Sequence, residues 1–232
     1  YYHRYHEVLE SIGQGNNAAS GSIPGTTEKL VKPMPGIGIF LALVKGILGE
    51  HAGACAGLLR PNPTPNDRAI LSELGVLFQE QPIRTGLVTS SILYEADLVL
   101  SEIFRQLMEE TELWPVPADV KRAARSAFQS HHAFYDTVVT ATDSHEIRLK
   151  PHRDLYSIAL SQLGLGPADF DKVIGFEDSE SGTIAMRAAG IGAACAVPFH
   201  MTEGHTFDAA AWVCPGGLPE VLLDHRLFIA SE

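Results

Sequence analysis

Cysteine is scarce. Cys55, Cys195 and Cys214 are the only three in 232 residues, and no two stand in a C-x-x-C pair. A scattered, odd set excludes a disulfide framework and a zinc knuckle and favours a reducing compartment. Cys195 and Cys214 lie inside apolar runs and read as plain core residues. No apolar stretch approaches the ~20 residues that a membrane-spanning helix needs. The expectation is therefore a cytoplasmic protein with no membrane partner. Positive charge is also in short supply, with 17 Lys and Arg against 28 Asp and Glu and a net charge of -11. No basic stripe is available to neutralise a phosphate backbone, so nucleic acid is excluded as a partner. A small phosphorylated ligand is not, because a bound divalent cation reverses the local field. The sequence opens on Tyr1 rather than methionine, which suggests that a longer protein precedes it.

Against these absences, 45% of the residues are hydrophobic and 19% charged, enough apolar surface for a buried core. A helix is expected up to Ile12, stopped by the Gly13–Asn17 cluster, with Thr26 and Thr27 as caps further on. Helical spacing returns from Ile37 to Leu48. The proline-marked stretch from Gly53 to Asp67 reads as an irregular loop, followed by a short helix from Arg68 to Leu74. Beyond it, short apolar runs alternate with helical patterns. The runs are Thr85–Thr89, Thr137–Thr140, Val173–Phe176, Ala193–Val197 and Trp212–Cys214. The helices are Ile92–Met108, Ala118–Gln129, Arg153–Leu163 and Ser179–Ala189. Continuous apolar strands separated by helices imply an α/β fold, a Rossmann-like parallel sheet with helices on both faces.

Three segments carry chemistry. In Gly175-Phe176-Glu177-Asp178-Ser179 two carboxylates follow a buried strand and precede a helix, the place where open α/β sheets bind ligands. Paired carboxylates repel unless a cation or a proton separates them, and Mg²⁺ suits such oxygen donors. Helix-dipole stabilisation explains the same pair about equally well. In Leu149-Lys150-Pro151, the proline keeps Lys150 out of helical geometry and is suited to a helix's first turn. That sets the lysine on a loop tip, where it could neutralise a phosphate, although a solvated lysine is the commoner case. Asp154 reads as support for the helix start. In Leu87-Val88-Thr89-Ser90-Ser91 a hydroxyl ends a strand, and backbone N–H groups follow it.

Thr89 after its strand, Lys150-Pro151 with Asp154, and Glu177-Asp178-Ser179 with Gly182 and Ala188-Ala189-Gly190 together resemble the second, third and fourth motifs of haloacid dehalogenase-like hydrolases. The likeness runs from about Lys32 to Val221 and is strongest from Phe134 to Pro198. The Lys-Pro and Glu-Asp-Ser forms look like the branch of β-phosphoglucomutase and small-molecule phosphatases. It implies that Thr89 and the Ser90 backbone bind the transferring phosphoryl group. Lys150 would pair with that group and with the nucleophile, and Glu177 and Asp178 would hold Mg²⁺. The implied reaction is transfer through an aspartyl-phosphate, in a phosphatase of a small phosphorylated metabolite such as a sugar phosphate. A phosphomutase is the alternative within enzymes, and a non-catalytic phosphate-pocket homologue the alternative outside them.

One motif does not match. The family's first motif, an Asp-x-Asp after an N-terminal strand, supplies the nucleophile. The sequence offers only Asp169-Phe170-Asp171, which precedes a strand and reads as a pair of loop acids. Residues 1–32 are accordingly expected to be the remnant of a helical cap with its linker. Residues 33–232 would be the core, with insertions near 46–82 and 92–130, and the chain alone is expected to be inactive. The motif-one strand would lie between Leu87-Val88 and Val173–Phe176, which predicts an open slot between those two runs. His131-His132, His145, His200 and His205 lack the spacing of a metal set, and Gly36-Ile37-Gly38 lacks the strand that a dinucleotide loop requires.

Overall fold

Residues 29, 31–145, 147–225 and 227–228 are described by a computed structural model of the chain. The expected helix to Ile12, its Gly13–Asn17 stop, the caps at Thr26 and Thr27 and most of the 1–32 segment lie outside these residues.

Helix α1 (Ile37–Val44) starts where Gly36 turns into the left-handed region at φ 80°. A side chain at Gly36 would press on Leu59 as well as strain the backbone. From Gly38 to Val44 every residue of α1 is buried. A helix apolar all round belongs at the centre of a core.

The reading of Gly53–Asp67 as a loop is corrected by the structure. A 3₁₀ turn spans Gly49–Cys55, α2 spans Ala56–Leu59, and α3 runs unbroken from Pro65 to Glu80. Its start is a capping box. The Asp67 amide donates to Thr64 Oγ1 at 3.1 Å, and the Thr64 amide donates to the Asp67 carboxylate at 2.8 Å. Pro65 occupies the first helical position, which has no N–H to lose. The helix passes straight through Gly75, where a Cβ would stand 2.0 Å from the Gly49 carbonyl oxygen. Glycine is required there for closeness rather than for conformation.

The sheet elements follow. Strand β1 (Gly86–Val88) is succeeded by α4 (Leu93–Glu110), α5 (Ala118–Ala127) and the single turn α6 (His131–Phe134). Next come β2 (Thr137–Val139), α7 (Asp154–Gln162), β3 (Ile174–Glu177), α8 (Glu180–Ala188), β4 (Ala193–Ala196), β5 (Trp212–Val213) and α9 (Gly217–Leu223). The pairings of these strands are all parallel. β1 lies on β2 with Leu87 opposite Val138, while β3, β4 and β5 form a second sheet with Phe176 opposite Cys195 and Cys195 opposite Trp212. The expected α/β architecture is therefore present, divided between two sheets among the described residues.

Alternation along the strands sorts the two faces. Gly175 and Ala194 face α7 and α8, where Met186, Leu160 and Ala185 form a buried cluster. Phe176 and Cys195 face the other way, into the main core of α1, α3 and α9. Phe176 meets Phe40 edge-on at 5.2 Å. The stretch near 92–130 contributes Phe104, Leu107, Trp114 and Phe128 to that same core.

Between β1 and β3 no ladder forms among the described residues. Gly86 and Val88 on one side and Ile174 and Phe176 on the other line a cavity of ≈ 560 Å³, which Phe40 and Leu160 also line. This is the open slot expected between the two runs.

Candidate active site

The C-terminal ends of β1 and β3 meet through one side chain. Lys150 sits in a turn ahead of α7, with Pro151 beside it in the turn rather than in the helix, which begins at Asp154. The proline's expected place in the first helical turn is thus not taken. The lysine nevertheless stands on a loop tip. Its ammonium donates to the Val88 carbonyl at 3.1 Å and pairs with Glu177 Oε1. The two side chains are 10% and 6% exposed, so the pair is largely shielded from water. An ammonium has three protons. Among the described residues two are engaged in hydrogen bonds, with the Tyr156 ring centre 5.2 Å from the ammonium, so the third can turn to a ligand at the same edge.

Glu177 is gripped from several directions. Lys150 and the Tyr156 hydroxyl both donate to Oε1, and the Ser179 hydroxyl donates to Oε2 at 3.1 Å. Ser179 also caps α8 by accepting from the Gly182 amide at 3.1 Å. Gly182 lies so close that a Cβ there would fall 2.0 Å from Glu177 Oε2. The environment raises the Tyr156 phenol well above its ordinary range, first through burial and then through the charge of Glu177. Tyr156 thus remains a hydrogen-bond donor.

Asp178 is half-buried beside this cluster. Burial, followed by the Glu177 charge, raises its carboxyl above the ordinary value, and Lys150 only partly offsets this. A divalent cation would relieve both causes. Mg²⁺ is commonly held by one or two carboxylates together with water and a substrate phosphate, so Asp178 fits such an ion. Glu177 fits it less well, because Lys150, Tyr156 and Ser179 already engage both its oxygens.

Thr89 follows β1 directly after Val88, whose carbonyl accepts from Lys150. Its amide extends the ladder to the Val139 carbonyl at 2.9 Å, and its Oγ1 accepts from the Ser91 amide at 3.1 Å. The hydroxyl proton is still available to donate, and Ser90 beside it is exposed. Lys150 therefore brings the chain at Thr89 and the Glu177–Asp178 pair to one edge. Asp169 and Asp171 lie elsewhere, in a 3₁₀ turn (Pro167–Lys172) before the start of β3, where Asp169 accepts from the Gly166 amide at 3.3 Å. They stand at the opposite end of the strand from Asp178.

Tyr156 escaped the sequence reading. Its helical position marks it as core, and it is 7% exposed. Only the fold shows that its hydroxyl reaches Glu177.

No family model matches the chain, and no curated protein does so either. Among solved structures the chain is similar to CbbY from Rhodobacter sphaeroides in complex with phosphate, at 14% identity over 80% of this chain and 90% of that one, with a TM-score of 0.44. It is also similar to a mutant of the same protein in complex with xylulose-(1,5)bisphosphate, at 16% identity over 90% of this chain and 84% of that one, with a TM-score of 0.42. Neither likeness is close enough to assign a role to any residue here.

Proposed function

We propose that this chain carries the phosphate- and cation-binding edge of a haloacid dehalogenase-like phosphoryl-transfer enzyme, a phosphatase of a small phosphorylated metabolite such as a sugar phosphate. Residues 33–232 would be its core and 1–32 the remnant of a cap. The observation that carries this reading is the single ammonium of Lys150 reaching both the end of β1 and the end of β3. In this role the Thr89 hydroxyl and the Ser90 backbone hold the phosphoryl oxygens. The remaining Lys150 proton meets their charge. Asp178 holds Mg²⁺, which when bound neutralises charge on the phosphoryl group. Glu177 fixes Lys150 and shares the cation only if its present donors give way.

One observation favours a second reading. The only Asp-x-Asp, at Asp169 and Asp171, lies at the wrong end of β3. By the aspartyl-phosphate route the chain on its own would bind a phosphorylated ligand without turning it over, as a non-catalytic homologue would.

Calorimetric titration of the full chain with inorganic phosphate, with and without Mg²⁺, tests the site. Phosphate is expected to bind more tightly with Mg²⁺, Asp178→Asn to abolish that enhancement, and Thr89→Ala or Lys150→Ala to weaken phosphate at least ~10-fold, as losses of charged or hydrogen-bonded partners do. Unchanged phosphate affinity in all three variants would sink the proposal. Hydrolysis of para-nitrophenyl phosphate by the chain alone, lost in Lys150→Ala, would keep the site and overturn the binding-only reading.

A further inference from the structure

Away from the sheet edge, the fold assembles a set of side chains that sequence spacing gave no reason to join. Asp97 lies in the second turn of α4. His131 and His132 open α6, whose Ser130 cap accepts from the Ala133 amide at 3.3 Å. His131 Nε2 is 3.0 Å from Asp97 Oδ1, and His132 Nε2 is 2.9 Å from the same oxygen. All three donor atoms lie within 4.8 Å of one another. The two imidazoles are 4.1 Å apart, ring centre to ring centre. Spacing alone could not mark His131-His132 as candidate ligands, because the carboxylate that joins them comes from a helix 34 positions upstream.

We propose that Asp97, His131 and His132 form a binding site for a late first-row divalent transition metal, with Zn²⁺ the ion that fits best. Two imidazole nitrogens and a carboxylate oxygen are borderline donors. Such donors suit Zn²⁺, Ni²⁺ or Cu²⁺ and not Mg²⁺, which prefers an all-oxygen shell. With bonds of about 2.0–2.1 Å, the edges of a tetrahedral zinc site measure about 3.3 Å. The two edges to Asp97, observed at 2.9 and 3.0 Å, need to open by only a few tenths of an ångström, and the third, between the two imidazole donors, lies within 4.8 Å.

Burial shows which ligands can make that adjustment. The His131 side chain is 6% exposed and is fixed edge-on by Phe104 at 5.9 Å. The side chains of Asp97 and His132 are 39% and 53% exposed, so they can shift outward and leave a face open to water. One anchored ligand and two adjustable ones make a three-residue site with an entry path and a free fourth position. Its occupation would clip α4 to α6, the turn that leads into β2.

Titration of the full chain with Zn²⁺, followed by calorimetry and by the thermal midpoint, tests this. One equivalent of Zn²⁺ is expected to bind and to raise the midpoint. His132→Ala, at an exposed position, and Asp97→Asn, at a half-buried one, are expected to weaken binding at least ~10-fold without loss of the folded state. Mg²⁺ at the same concentration should neither bind there nor compete. The other set of this kind among the described residues is Cys214, Glu220 and His225, which makes Cys214→Ser the control. Zn²⁺ binding that survives His132→Ala but fails in Cys214→Ser would overturn the assignment, and so would no Zn²⁺ binding at all.

Discussion

Around α1, α3 and α9 the side chains of Leu43, Leu71, Leu74 and Leu222 are wholly shielded, and α3 presses its Gly75 against the Gly49 carbonyl. Across the molecule, β1 and β3 face each other over a ≈ 560 Å³ cavity without a shared hydrogen bond. One region is closed by packing, whereas the other shares no ladder and is bridged at its end, where Lys150 joins Val88 to Glu177, and over one face, where Val88 and Val173 pack on the cluster of Tyr156, Leu160 and Met186. Apolar burial is non-directional and adds up over many contacts. A sheet edge, in contrast, is satisfied only by a strand in register. Among the described residues the chain therefore completes a helical layer and leaves two edges of its sheets unpaired.

The largest expected effect comes from removing the link across the divided sheet. Lys150→Ala leaves the Glu177 carboxylate shielded and without its cation, and breaking such a pair costs about 3–5 kcal/mol. Urea titration should show that loss, and a change below about 1 kcal/mol would mean that the two halves are held by something else. Gly75→Ala attacks the closed region. The gain in helix propensity is about 1 kcal/mol, but a methyl group forced 2.0 Å from a backbone oxygen costs about 1–3 kcal/mol or more. A net loss of stability is expected, and a raised thermal midpoint would contradict the close approach.

Hydrogen exchange compares the regions directly. Among the described residues β4 is paired on both sides, whereas β1 is paired on one side only. Protection of β1 amides at least ~10-fold below that of β4 is expected, and equal protection would show the slot to be filled.

The smallest effect has the opposite sign. The Asp178 carboxyl has a raised folded-state pKa, so the folded state binds the extra proton. Stability therefore falls as pH rises from its ordinary value of 3.8 through the folded value. Asp178→Asn removes that fall and should be slightly more stable than wild type at pH 7. A variant less stable there would reverse the reading.

Much of this was legible in the residues. The apolar runs Thr85–Thr89 and Val173–Phe176 do contain strands, Gly86–Val88 and Ile174–Glu177, although most of their residues are only half-buried rather than shielded on both faces. Thr64, Pro65 and Asp67 spelled out a helix start that the surrounding prolines concealed. Local signals of that kind can be recovered by reading caps before breakers. Tyr156 and Asp97 could not be found in that way. Each is an ordinary helical residue until the chain returns to set Glu177, or His131 and His132, against it. The two open edges of the sheets were anticipated from the resemblance, not from any feature of Leu87 or Val173 alone.

Gly182 has a mechanical consequence. With no room for even a methyl group between the first turn of α8 and the Glu177 carboxylate, that contact has no slack in compression. The Ser179 hydroxyl, bonded to both the carboxylate and the Gly182 amide, resists their separation. The acid pair and α8 are thereby coupled as a lever. A ligand that pressed on Glu177 would therefore press on the first turn of α8, the helix whose Met186 sulfur packs over Gly175 on the same strand.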